Sequence, residues 1–254
     1  MHIPRIYIEQ PLRANDTLLL DKSAMHHLVT VMRMKVGRSF ILFNGEPVDG
    51  EYGEFSAVLA QVDKKSAQVS VGEFTVRHTE ASLHIHLGAC VIKNDRMDWL
   101  LQKATELGVA EITPLFSEYT DAKLSAERLE KKYLHWQKVV VHACEQSGRV
   151  KLPNINLPLK LSDWLPSLAL SSCNIVLHPY ASSGFCWNDM TTDSATEPTH
   201  VSLLVGPEGG LTDEEVEAAC HHRFSAMTVG ARILRAETAP LAAISLLMHH
   251  CGEF

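Results

Sequence analysis

The chain has 254 residues, a length that suits one large or two modest domains and that buries a sizeable core. Apolar residues make up 46% and charged residues 21%, a globular balance that excludes a disordered or fibrous chain, and no apolar run approaches the roughly 18 residues of a membrane span. The net charge of −7 speaks against nucleic acid only as a sum: residues 1–40 carry six Lys or Arg against three acids, whereas residues 151–254 carry five against eleven, so the N-terminal end can still face a polyanion.

The opening stretch, "MHIPRIYIEQPLR", is charged early and has no long apolar region, so no secretory signal is visible. Cys90, Cys144, Cys173, Cys186, Cys220 and Cys251 are widely spread without a C-x-x-C pair, which reads as free thiols in a reducing cytoplasm. "CHH" at Cys220 and "HHC" at His249 place potential ligands at adjacent positions, on different helix faces, so no metal site is expected.

Residues 1–73 read as a small, mostly β unit. "RIYIEQ", "TLLLD", "RSFILFN", "GEFSAVLAQV" and "SAQVSVGEF" are short runs rich in β-branched and aromatic residues between turn residues. One helix interrupts them, "AMHHLVTVMRM", capped by Ser23, with Met25, Leu28, Val29 and Met32 on one face and Gly37 beyond its end. Short strands around one helix suggest a compact barrel-like module.

After a polar joint near "TVRHTEAS", residues 74–254 change rhythm. "LHIHLGACVI" reads as a strand, "NDRMDWLLQKATELG" as a helix stopped by Gly108, and "AEITPLF" as a buried strand. Ser125 opens a long charged helix closed by Gly148, and 153–198 is Pro- and Ser-rich and irregular. "NIVLHPY", "HVSLLVG" and "SAMTVG" are further strands, the last two followed by helices at "DEEVEAACHH" and "PLAAISLLMHH". Strands alternating with helices imply an α/β fold, a parallel sheet with helices on both faces.

"LLVGPEGGLTDEEVEAA" combines a strand, a glycine-rich turn and a helix. Thr212 and Glu215 form a T-x-x-E capping box, and Gly206, Gly209 and Gly210 let a ligand approach bare backbone. The turn matches neither phosphate-binding nor dinucleotide fingerprint spacing. Glu208 inside it, with Asp213, Glu214 and Glu215 in the first helical turn, would repel a phosphate, so a neutral or cationic ligand fits better, such as an adenosine bearing a sulfonium or amine. By itself the turn reads equally well as a tight connection.

"TVGARILRAETAPLAAISLL" adds a loop after a strand, with Thr238 and Pro240 opening a very apolar helix. Arg232, Arg235 and Glu237 stand there among Ile233, Leu234 and Ala236, and charges among apolar residues are costly unless paired or used. A third polar group, Glu145, Gln146, Ser147 and Arg149, closes the long helix.

Together with "RMDWLLQKATELGVAEITPLFSEYT", "WQKVVVHACEQSGR", "IPRIYI" and "VMRMKVG", these segments resemble the RsmE family of bacterial 16S ribosomal RNA methyltransferases, which modify N3 of a uridine near the decoding centre. The resemblance runs almost end to end. It implies a SPOUT-type methyltransferase domain tied in a C-terminal trefoil knot, an N-terminal PUA-like RNA-binding barrel, S-adenosyl-L-methionine as methyl donor, a homodimer, and the small ribosomal subunit as partner. The implied donor pocket has three loops: Leu177, His178 and Pro179; Val205, Gly206, Pro207, Glu208, Gly209 and Gly210; and Val229, Gly230, Ile233, Leu234, Arg235, Ala236, Thr238 and Ala239. Ala231 stands where the family usually has proline, and Ala236 where threonine is common.

Uridine N3 carries a proton and is a poor nucleophile until it leaves, so the site needs a base or cations that stabilise the uridine anion. Arg232 and Arg235 suit the uracil oxygens, and Glu145 or Glu237 could accept the proton. Arg5, Arg33, Lys35, Gln146, Ser147 and Arg149 are the expected RNA contacts. A dinucleotide-dependent enzyme would carry its glycine turn earlier in the fold, and a non-catalytic RNA-binding protein would leave the donor-like loops unexplained.

Overall fold

The computed structural model describes residues 3–120, 125–168, 173–184 and 199–254. The chain divides into two compact units: 1–80 with 144–152, and 81–143 with 153–254. Position 73, the expected division, lies inside a strand that runs from Ala67 to Val76.

The first unit holds β1 (Arg5–Tyr7), β2 (Thr17–Leu19), α1 (Lys22–Met25) passing into a π-helical turn (His26–Val31), β3 (Ser39–Phe43), β4 (Gly53–Val62) and β5 (Ala67–Val76). The sheet runs β1-β3-β4-β5-β2, with β1 parallel to β3 and the remaining pairs antiparallel. In β4 the buried positions Gly53, Phe55, Ala57 and Leu59 alternate with more exposed ones, the period-2 pattern of a strand with one face in the core. That core joins Ile6, Ile8, Leu28, Phe40, Leu42, Phe55 and Val69. Two helix details differ from expectation. Asp21, not Ser23, is the N-cap, its side chain accepting the Ala24 amide at 2.9 Å, because the helix starts at Lys22. Helical backbone ends at Val31 rather than Met34, where Arg33 turns left-handed at φ 52°.

The second unit holds β6 (His84–Cys90), α2 (Asn94–Glu106), β7 (Glu111–Phe116), most of α3 (Ala126–Ser147), β8 (Asn154–Ile155), β9 (Leu159–Lys160), α4 (Leu161–Ser167), β10 (Cys173–Leu177), β11 (Ser183–Gly184), β12 (His200–Val205), α5 (Asp213–His221), β13 (Ser225–Thr228) and α6 (Thr238–His250). Its strands form one sheet in the order β11-β13-β10-β12-β6-β7-β8, with β9 also on β7, and every pair is parallel. Successive residues of β12 serve opposite faces. Val201, Leu203 and Val205 join a cluster with Met97, Leu100, Trp136 and Ile244, from α2, α3 and α6, whereas Leu204 joins Trp164, Leu165 and Ala219, from α4 and α5. Burial on both faces explains why these strands read as continuous apolar runs. The stretch 153–198, expected to be irregular, holds β8, β9, α4, β10 and β11 in its described part, whereas 169–172 and 185–198, Cys186 with them, lie outside the described residues.

Candidate active site

Because β13, β10 and β12 are neighbours and parallel, the segments leaving their C-terminal ends emerge along one edge of the sheet. They enclose a cavity of about 640 Å³, a volume in the range of small-molecule sites. Leu177, His178 and Pro179 follow β10, 205–210 follow β12, and Val229, Ile233, Leu234, Arg235, Ala236 and Ala239 follow β13, all of them lining it. The His178 amide donates to the Met227 carbonyl at 2.9 Å, tying the first of these segments to the third. Of the expected donor-binding residues, Gly230 and Thr238 are not among the lining residues. Gly230 bends the loop at φ 76°, and Thr238 starts α6.

The glycine turn is built as its sequence requires. Gly210 has φ 78°, and its amide closes the turn onto the Pro207 carbonyl at 2.9 Å. A β-carbon on Gly206 would meet Leu211 Cγ at 3.0 Å and the Gly210 carbonyl carbon at 3.1 Å, and one on Gly209 would meet Tyr119 Cβ at 2.9 Å. Both halves of the capping box form, Glu215 to the Thr212 amide at 3.0 Å and Thr212 to the Glu215 amide at 3.2 Å. The other Glu215 oxygen accepts from the Glu118 amide at 2.9 Å, so this carboxylate is spent on structure.

The charges in and around the cavity are ordered by a residue that the sequence did not single out. Arg96, in the first turn of α2, lines the cavity. Its Nη1 lies 3.5 Å from Glu208 Oε1 and its Nε 3.8 Å from Glu237 Oε1. The Lys93 amide, at the N-cap of α2, also donates to Glu208 Oε1 at 3.3 Å, placing that carboxylate at the positive end of α2. Arg235 Nη1 stands 3.9 Å from Glu237 Oε1, and Glu237 Oε2 is buried without a hydrogen-bond partner among the described residues. Arg232 and Arg235 line the cavity and are largely exposed. The signal for Arg96 was its position just past β6, the strand beside β12, but that adjacency is a property of the sheet order.

The other expected site residues lie in the first unit. Glu145 accepts the Tyr7 amide at 2.9 Å and is not among the lining residues of the cavity. Arg5 is bonded to Glu54, donates to the carbonyls of Gly148 at 3.1 Å and Arg149 at 3.2 Å, and sits over the Phe43 ring. Arg149 is buried and grips Glu80. These two arginines, expected as phosphate contacts, therefore act as internal pins, since a guanidinium already committed to a carboxylate and carbonyls has few donors to offer outside. Arg33, Lys35, Gln146 and Ser147 are exposed.

A parallel α/β domain with a loop-built cavity at the carboxyl edge is the setting of group-transfer and nucleotide-handling enzymes. Within that class, residues 79–248 match the RNA methyltransferase domain and residues 20–46 the RNA methyltransferase PUA domain. The ribosomal RNA small subunit methyltransferase E of Buchnera aphidicola from Schizaphis graminum is 34% identical over 252 residues, covering 99% of this chain and 98% of its own length. A Legionella pneumophila protein solved with bound S-adenosylmethionine is 34% identical with a TM-score of 0.89, covering 98% of each chain. The ribosomal RNA small subunit methyltransferase E of Neisseria gonorrhoeae, solved bound to S-adenosyl methionine, is 30% identical with a TM-score of 0.85 and the same coverage. The chain belongs to the ribosomal RNA small subunit methyltransferase E family.

Proposed function

We propose that the chain is an S-adenosylmethionine-dependent methyltransferase acting on N3 of a uridine in 16S ribosomal RNA of the small ribosomal subunit. The observation that carries this reading is the convergence of the segments after β10, β12 and β13 on one cavity lined by Glu208 and by the guanidinium groups of Arg96, Arg232 and Arg235. The cavity fits the donor. Its glycine turn leaves bare backbone where a β-carbon at Gly206 would collide, its volume suits an adenosine with a short tail, and Glu208 puts a carboxylate in its lining.

When bound, S-adenosylmethionine supplies the methyl group, its sulfur–carbon bond breaking as the bond to uridine N3 forms. The chain's own residues align the acceptor for in-line attack and manage the N3 proton. Arg232 and Arg235, exposed residues of the cavity lining, stabilise negative charge on the uracil oxygens, and Glu237, which is not itself a lining residue but pairs with Arg96 and Arg235 that are, takes the proton. Arg33, Lys35, Gln146 and Ser147 offer exposed polar groups to the RNA.

The same reading extends to architecture. The first unit, 1–80 with 144–152, is a PUA-like RNA-binding barrel, and the second a SPOUT domain whose C-terminal part is knotted. The order β13-β10-β12-β6, in which later strands enter beside earlier ones, supports the knot. Exposed Ile233 and Leu246 support a homodimer. No described helix is long and apolar enough to cross a membrane, and a ribosomal substrate places the work in the cytoplasm. The test is to incubate the chain with methyl-labelled donor and small ribosomal subunits or free 16S RNA, then map reverse-transcription stops. Label and a stop at one uridine are expected, and failure to transfer label to either RNA overturns the reading.

A further inference from the structure

Two of the segments around the cavity leave from different strands, yet one side chain reaches both. Glu208 belongs to the glycine turn after β12 and Glu237 to the loop after β13, and Arg96 lies 3.5 Å from the first carboxylate and 3.8 Å from the second. Arg235 also reaches Glu237, at 3.9 Å, but its side chain is 74% exposed and sits on the same loop, so it moves with the group it would hold. Arg96 is anchored elsewhere. It stands in α2, whose Met97, Leu100, Leu101 and Ala104 are fully buried in the core. Glu237 needs such a partner, since its side chain is only 11% exposed and one oxygen has no hydrogen-bond donor among the described residues. Burying a carboxylate away from water is costly, and a fixed cation beside it offsets that cost. The planar guanidinium holds its donors in a fixed fork that can face two carboxylates at once, where a lysine ammonium is a compact point charge on a flexible stem.

We propose that Arg96 is a positioning residue of the donor site: fixed on α2, it clamps the glycine turn and the last loop at a common spacing, so that the donor meets a preformed cavity. Both separations are those of ion pairs rather than tight hydrogen bonds, so the clamp restrains the loops and still lets them adjust. A preformed cavity binds more tightly because the loops need not be ordered on binding. The inference rests on the reading that the cavity takes S-adenosylmethionine, and its test separates the two.

Amide hydrogen exchange on the donor-free chain, wild type against Arg96→Gln and Arg96→Lys, reads the clamp with no ligand present. Arg96→Gln is expected to speed exchange about tenfold in both 206–210 and 232–239 while the α2 amides 97–104 keep their protection. Calorimetry with S-adenosylmethionine is expected to show its Kd rising about tenfold in the same variant. Arg96→Lys is expected to restore protection to one loop and not the other. Wild-type exchange in either loop of Arg96→Gln overturns the proposal, as does full protection of both loops by Arg96→Lys. If Arg96→Gln does not fold, Arg96→Lys decides alone. A wild-type chain that binds no S-adenosylmethionine defeats the functional reading, while the exchange comparison still decides the clamp.

Discussion

Arg149 holds Glu80 from two nitrogens, with Nε 3.2 Å from Oε1 and Nη2 closer still to Oε2. The arginine side chain is 4% exposed and the glutamate 27%. Removing the carboxylate takes the Glu80 charge away from a buried cation, so Glu80→Gln is expected to lower stability by about 3 kcal/mol. Replacing both charges, as Glu80→Leu with Arg149→Met, is expected to recover much of that loss. Urea denaturation checks both, and the salt dependence of RNA binding in the folded double variant should match wild type, because neither group faces a phosphate.

A β-carbon on Gly88 in β6 would lie 2.4 Å from the ring of Trp164 in α4, whose side chain is fully buried. The ring cannot retreat from a packed core, so Gly88→Ala is expected to cost about 1–3 kcal/mol of stability. The near-ultraviolet signal of the tryptophans should change with it. A melting temperature equal to wild type would show that Trp164 has room to move.

Of the two carboxylates that the sequence offers as a base, Glu237 pairs with Arg96 and Arg235 beside the cavity, and Glu145 accepts the Tyr7 amide in the other unit. At saturating donor and RNA, single-turnover methyl transfer by Glu237→Gln is expected to fall about 100-fold. Glu145→Gln should retain the wild-type rate. Loss in the second and not the first would reverse the assignment.

His86 predicts an acid-sensitive core. Its Nε2 contacts the Thr113 hydroxyl at 2.8 Å, and burial, reinforced by His84 and opposed by Glu111, lowers its pKa from the ordinary 6.5. The unfolded chain therefore takes up a proton at a pH where the folded chain does not, so stability is full above 6.5 and declines as pH falls below it. Urea midpoints between pH 7.5 and 5.5 should fall in wild type and flatten in His86→Gln, whose amide can keep the Thr113 contact.

The elements were largely legible because their residues carry the pattern locally. α2, α3, α5 and α6, the capping box, and the strands β6, β7, β10, β12 and β13 lie where period, cap and glycine stop place them. α1 was less legible, since Asp21 and Ser23 are both good caps and only the start at Lys22 chooses between them. The three donor-site segments were legible for the same local reason: each follows a strand and carries glycine, proline or charge in an apolar setting.

What the sequence determined by itself is the inventory: a parallel α/β unit, a small β unit, a glycine turn that carries a carboxylate, and charged residues in an apolar loop. Only the tertiary structure decided how those residues are spent. Arg5, Arg149 and Glu145 have the chemistry of RNA contacts or a base, but their partners, Glu54, Glu80 and the Tyr7 amide, are distant in sequence. Arg96 has no local mark of a site residue and becomes one because β6 pairs with β12, which brings α2 to the glycine turn. Local patterns arise from interactions a few residues apart, whereas charge pairing and strand order are long-range, and the same composition permits many of them.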